Sequence, residues 1–235
     1  MGKLREQLEK ARVERERFEL RQVESELHVA SSDRERSLTV LLVGLAAFYL
    51  VVRFGFTTKL DAISEYKTYL FEIGLVGYAA VLLRPRLSLH GLIKLQPIVS
   101  SMAALGAGFG ILKIARATGI AVPINVSHRE TVVFLLAVAP ILEEFVFRFL
   151  LWKPIECAAS PQTAWWATSL AFSYSHLHAI WFVPPEYQKF LIFQMVYTLP
   201  LGLACGWILR KQKSLSSAML LHFAFNLGFF LAFWF

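Results

Sequence analysis

Seven apolar runs, each near the roughly 20 residues that a helix needs to cross a bilayer core, constrain this chain more than any other feature. They lie at about residues 38–56, 68–83, 96–116, 131–152, 162–183, 190–209 and 215–235. Hydrocarbon has no water to satisfy backbone N–H and C=O groups, so runs of this kind must be helical. The expected fold class is all-α, a polytopic transmembrane helix bundle. It has about seven spans, or eight if one run hides a merged or re-entrant helix.

Charge divides the chain in two. Residues 1–37 carry nine Lys/Arg and nine Asp/Glu, while the remaining residues carry 15 basic and eight acidic groups and hold the whole net charge of +7. The reading is therefore a charged N-terminal arm over 1–37 and a transmembrane domain over 38–235. Residues 3–30 read as one cytoplasmic helix, rich in Glu and Arg. Its apolar residues recur at seven-residue intervals at Leu4, Ala11 and Phe18, and at Val13, Leu20 and Leu27. The pattern fits a solvated helix leading into the first span, with a coiled coil (through a partner or self-association) or a helix lying on the membrane surface as the sharper alternative. No secretory signal is expected, because the first apolar run follows this charged stretch and is too long for one. Lys/Arg asymmetry between the loops favours a cytoplasmic N-terminus. Arg84, Arg86, Lys94, Lys153, Arg210, Lys211 and Lys213 then fall inside with the arm. The bilayer is the expected surroundings, and no nucleic-acid partner is expected.

Gly106, Gly108 and Gly110 lie in an apolar run with no preceding strand, so close helix packing explains them better than a nucleotide loop. Gly202 and Gly206 read as a helix contact face. Trp152, Trp165, Trp166 and Trp181 read as an aromatic belt near span ends. Cys205 reads as a small packing residue.

A charge at the centre of a span costs roughly 2.5–3.5 kcal/mol on insertion scales. The fourth run nevertheless contains Glu143, Glu144 and Arg148. Glu144 and Arg148, four apart, share a helix face and can pair. Glu143 points about 100° away from Glu144 and has no helical partner. The fifth run carries Phe172 and His176, and the seventh carries His222 and Asn226, again four apart. All these polar groups avoid the insertion cost if they face one cavity. His178, two residues after His176, points to the other side and reads as interfacial.

Several intramembrane chemistries lack their residues. The two aspartates, Asp33 and Asp61, lie outside the runs, HExxH is missing, and no serine sits in a Gly-x-Ser-Gly context. What remains is water activated by Glu143 with His176, and an oxyanion held by His222 and Asn226.

The motifs EExxxR (Glu143, Glu144, Arg148), FxxxH (Phe172, His176) and HxxxN (His222, Asn226), in this order, resemble those of the CPBP family. This is the group of CAAX-prenyl-endopeptidase-like and bacteriocin-processing glutamic intramembrane proteases, also called Abi proteins. The resemblance covers about residues 130–230. It implies an endopeptidase cutting near the end of a membrane-associated protein or peptide, in a bacterial inner membrane. Glu143 and His176 would activate water, Glu144 and Arg148 would support them with Phe172, and His222 and Asn226 would serve the oxyanion. The family's metalloprotease label raises zinc on Glu143, His176 and His222. A second zinc-binding helix motif is missing, so no cofactor is expected. Two other classes use similar residues: a non-catalytic peptide-binding scaffold or immunity factor, and a proton-coupled transporter. Glu143, Glu144, His176, His222 and Asn226 are all intact, against the first, and there is no internal repeat, against the second.

Overall fold

The computed structural model describes residues 37–55, 67–83, 95–124, 126–178 and 180–235. The charged arm, its expected helix and any association through it lie outside the described residues. So do Arg84, Arg86 and Lys94. The chain divides into two compact units, Met1–Leu41 and Leu42–Phe235.

The described residues are helical, with no strand among them. In chain order the helices are α1 (Ser37–Gly55), α2 (Lys67–Leu83), α3 (Leu95–Ala117), α4 (Arg129–Val133), α5 (Ala139–Phe145), α6 (Trp152–Ala158), α7 (Pro161–Ser175), α8 (Pro185–Gln212) and α9 (Leu215–Leu231). Three of them, α1, α3 and α8, are long and apolar enough to cross a membrane, and α2 and α9 contain shorter apolar helices.

The expectation of seven full spans is corrected in two places. The fifth run, 162–183, is helical only to Ser175 and then breaks into turns, with Leu177 N–H bonded to the Tyr174 carbonyl at 2.9 Å. Pro184 and Pro185 then restart the chain as α8. The fourth run is not one regular helix either. Two π-helical turns, Phe134–Val138 and Val146–Leu150, flank α5. The first of these has a visible cause. Pro140 has no N–H to donate and cannot continue the ladder. The Ala139 N–H reaches back five residues to the Phe134 carbonyl instead of four. The Leu135 carbonyl is thereby left for a partner outside its own helix.

In lipid, apolar contact alone does not drive helices together, so close van der Waals approach does. Gly108 on α3 and Gly228 on α9 make that approach possible. A Cβ on Gly108 would overlap the Phe225 carbonyl, and one on Gly228 the Leu105 carbonyl. Gly106 and Gly110 have open space around them, so one of the three expected packing glycines serves this contact. Gly202 and Gly206 face α7: a Cβ on Gly202 would lie 3.4 Å from the Ser169 Cα, and one on Gly206 would meet the Trp165 ring. The aromatic belt is corrected in part. Trp152 is buried and the Trp165 indole N–H donates to the Leu203 carbonyl at 2.8 Å, so both pack between helices. Trp166 and Trp181 are exposed.

Candidate active site

Four elements carry the polar residues. Glu143 and Glu144 sit on α5, Arg148 on the π turn after it, His176 just past α7, and His222 and Asn226 on α9. Helix α7 is held at its start by Ser160, whose hydroxyl accepts the Thr163 N–H at 3.0 Å. This is the usual N-cap device. Its other end places His176 as the C-cap rather than within a helix, which corrects the mid-span expectation.

Arg148 is the most tightly held of these side chains. Its Nε lies 3.3 Å from Glu144 Oε2, and its two terminal nitrogens donate to Thr168 Oγ1 at 2.9 Å and to the Gly202 carbonyl at 2.8 Å. Its guanidinium also lies 5.7 Å from the Phe172 ring centroid. Phe172, fully buried, contacts the His176 ring edge-on at 4.9 Å and the His222 ring at 5.5 Å. The one phenylalanine therefore spaces both imidazoles and the arginine.

The imidazole of His222 stands between the two carboxylates. Its Nδ1 is 3.0 Å from Glu144 Oε1 and its Nε2 is 3.6 Å from Glu143 Oε2. A carboxylate paired with Arg148 only accepts, so Nδ1 carries the proton toward Glu144. His176 is oriented in the same way by a different group. Its Nδ1 lies 2.9 Å from the Phe172 carbonyl, which also only accepts, so Nε2 bears the lone pair of the neutral ring. Asn226 Nδ2 donates to the Leu135 carbonyl at 2.7 Å, the group left over by the Pro140 π turn.

Glu143, His176, His222 and Asn226 all line one cavity of about 80 Å³, together with Gln194, Tyr197 and Thr198 of α8. Glu144 and Arg148 lie outside that lining. Among the described residues, the contact of the Glu143 carboxylate runs to His222 and not to His176.

Residues 129–228 match the family model described as type II CAAX prenyl endopeptidase Rce1-like. The matched stretch, somewhat under half of the chain, is similar to that family. The match covers every motif residue named above and agrees with the resemblance they suggested. No curated protein and no solved structure matches the chain. With three helices long and apolar enough to cross a bilayer, the chain reads as an integral membrane protein.

Among the described residues, the trio whose donor atoms lie within 4.8 Å of one another is Glu144, Cys205 and His222, rather than Glu143, His176 and His222. Glu144 is already neutralised by Arg148, and the same guanidinium would repel a dication placed there. The residues do not fit a zinc centre, and no step below uses one. Cys205 is fully buried, with Sγ 3.8 Å from the Ala218 carbonyl.

Two groups of residues escape the motifs. Gln194 and Thr198 are four apart on α8 and share a face, a spacing that marks a polar stripe in an apolar run. Glu72 on α2 is buried, accepts a hydrogen bond from the Tyr49 hydroxyl at 3.2 Å and lies 3.7 Å from Arg53 Nε. It is within electrostatic reach of Glu143. The fourth run is therefore not alone in carrying an intramembrane carboxylate. The signal for Glu72 is the lone acid in the second apolar run.

Proposed function

We propose that this protein is a multi-pass intramembrane endopeptidase that hydrolyses a peptide bond near the end of a membrane-associated protein or peptide. The observation that carries the reading is the single cavity onto which Glu143, His176, His222 and Asn226 open. Glu143 takes one proton from water while His176 Nε2 accepts a hydrogen bond from the O–H that remains and fixes its direction. The resulting hydroxide adds to the scissile carbonyl. The oxyanion accepts hydrogen bonds from Asn226 Nδ2, whose second hydrogen is not used by Leu135, and from His222 Nε2. Because Glu144 holds the Nδ1 proton, donation from Nε2 requires His222 as the imidazolium. Collapse of the tetrahedral adduct breaks the C–N bond, and Glu143 returns its proton to the leaving amine. Arg148 and Phe172 position these groups without touching substrate. The type II CAAX prenyl endopeptidase name of the matched family supports a substrate cut near a lipid-modified C-terminus. The excess of Lys/Arg in the loops on one side supports a cytoplasmic N-terminus.

The test compares wild type with Glu143→Gln, each expressed in membranes, by proteomic mapping of C-termini. New termini that appear with wild type and vanish with the variant are expected. Identical termini in both would refute the proteolytic reading.

A further inference from the structure

A second cleft lies away from the catalytic cavity, between α6, the end of α8 and the start of α9. It measures about 270 Å³, and its lining includes Arg148, Trp152, Lys153, Glu156, Arg210 and Lys213. Three cations at its edge thus face one carboxylate, since Arg148 is already balanced by Glu144.

The single acid is committed. Glu156 Oε2 accepts from Lys153 Nζ at 2.8 Å. Burial disfavours its charged form, but that hydrogen bond and the nearby charges of Lys153 and Lys213 outweigh it, holding Glu156 below the ordinary carboxylate range. Among the described residues, Arg210 is offset by neutral groups. It donates to Gln162 Oε1 at 2.8 Å and lies over the Trp165 ring at 5.3 Å. Lys213 is exposed at the α8–α9 turn, where its own N–H caps the Leu209 carbonyl at 2.7 Å. The negative end of the α8 dipole accounts for basic residues in its last turn. It does not account for their convergence with Lys153, from another helix, around a hollow. Positive charges gathered in a partly enclosed cleft repel one another and focus a field that an anion relieves. The buried Trp152 ring and Leu215 give the same cleft an apolar wall.

We propose that this cleft binds a phosphate group, presented by an anionic phospholipid whose first acyl carbons lie along the Trp152 wall. Basic pockets between membrane helices recognise headgroups in this way.

The full chain, purified in detergent, would be titrated with phosphatidylglycerol or phosphatidylcholine, with bound lipid counted by native mass spectrometry. Wild type is expected to retain phosphatidylglycerol about tenfold more than phosphatidylcholine. Lys153→Gln with Lys213→Gln should abolish that preference, while Lys113→Gln with Lys189→Gln, distant from the cleft, should keep it. Should the cleft double variant fail to fold, Lys213→Gln alone should weaken retention and Lys213→Arg should preserve it. Displacement of the lipid by millimolar inorganic phosphate supports the proposal with free phosphate as a second source. Resistance to it supports the proposal with the lipid as the source. Equal retention of the two lipids by wild type, or an unchanged preference in the cleft variants, would overturn it.

Discussion

Glu144 is sealed, while Glu143, the residue before it, is open. The Glu144 side chain is 1% exposed and is held by Arg148 and His222, whereas that of Glu143 is 29% exposed and faces the cavity. Two identical side chains on consecutive positions of one helix thus meet opposite surroundings, because a step of about 100° turns one into the helix packing and the other out of it. The sealed side contains Arg148, Thr168 and the Gly202 carbonyl; the two terminal nitrogens of the guanidinium are hydrogen-bonded, while its Nε and Glu144 Oε2 are joined only as an ion pair at 3.3 Å. The open side contains His176 and Asn226, each tied to the backbone by one bond with capacity to spare. A buried, ion-paired wall behind an open cavity is the arrangement expected of a preorganised site. The comparison predicts that changes on the open side remove activity while changes on the sealed side remove the fold.

The largest effect is expected from Glu143→Gln. Loss of the proposed base should lower peptide hydrolysis by about 10²–10⁴-fold, with little change in the thermal unfolding midpoint. Processing of a reporter substrate in membranes, read beside a melting curve, checks both parts. A large fall in the melting temperature would show that Glu143 belongs to the sealed side after all.

Next in size is Arg148→Met. It leaves the Glu144 carboxylate buried without its cation, which should cost about 3–5 kcal/mol and appear as low accumulation in the membrane and early unfolding. Adding Glu144→Gln to it should recover much of that stability. A double variant no more stable than the single one would break the claim that charge pairing, rather than side-chain shape, holds this wall.

Asn226→Ala should reduce hydrolysis by about 10²-fold through loss of the proposed oxyanion donor. It should also cost about 1–3 kcal/mol by stranding the Leu135 carbonyl. Asn226 thus crosses the boundary between the two sides. Hydrogen exchange at the Phe134–Val138 turn separates the two contributions, because only the structural one alters protection there.

The sealed pair is legible in sequence because it is local: an acid and a base four residues apart on a helix meet regardless of the tertiary fold. The all-helical class is equally legible from the apolar runs. His222 lies 78 positions from Glu144, and no periodicity announces that its ring bridges both carboxylates. Its bond to Glu144, and the Glu143 carboxylate's contact with His222 instead of His176, are matters of packing. The π turn could be anticipated only in part. Pro140 signals a break, but whether the chain kinks or shifts register depends on who takes the freed carbonyl, and that group is Asn226 on another helix. Length misleads in the fifth run, where apolar residues continue past Ser175 although the helix does not. Pro184 and Pro185 are the readable sign of that break.

Glu72 gives the smallest predicted effect and the sharpest test of where the boundary lies. It is a third carboxylate within electrostatic reach of Glu143, yet it belongs to no motif. Its partners, Tyr49 and Arg53, resemble those of the sealed side: a hydroxyl donor at 3.2 Å and a guanidinium at 3.7 Å. That guanidinium is 21% exposed and its nitrogen is farther from the carboxylate than in the Glu144–Arg148 pair, so this contact is the weaker of the two. Glu72→Gln retains an acceptor for the Tyr49 hydroxyl and loses only the charge. It should therefore cost about 1 kcal/mol of stability and leave hydrolysis within a fewfold of wild type. Measured on the same reporter as Glu143→Gln, a loss as large as that variant's would place Glu72 with the reacting groups and divide the site by helix rather than by exposure.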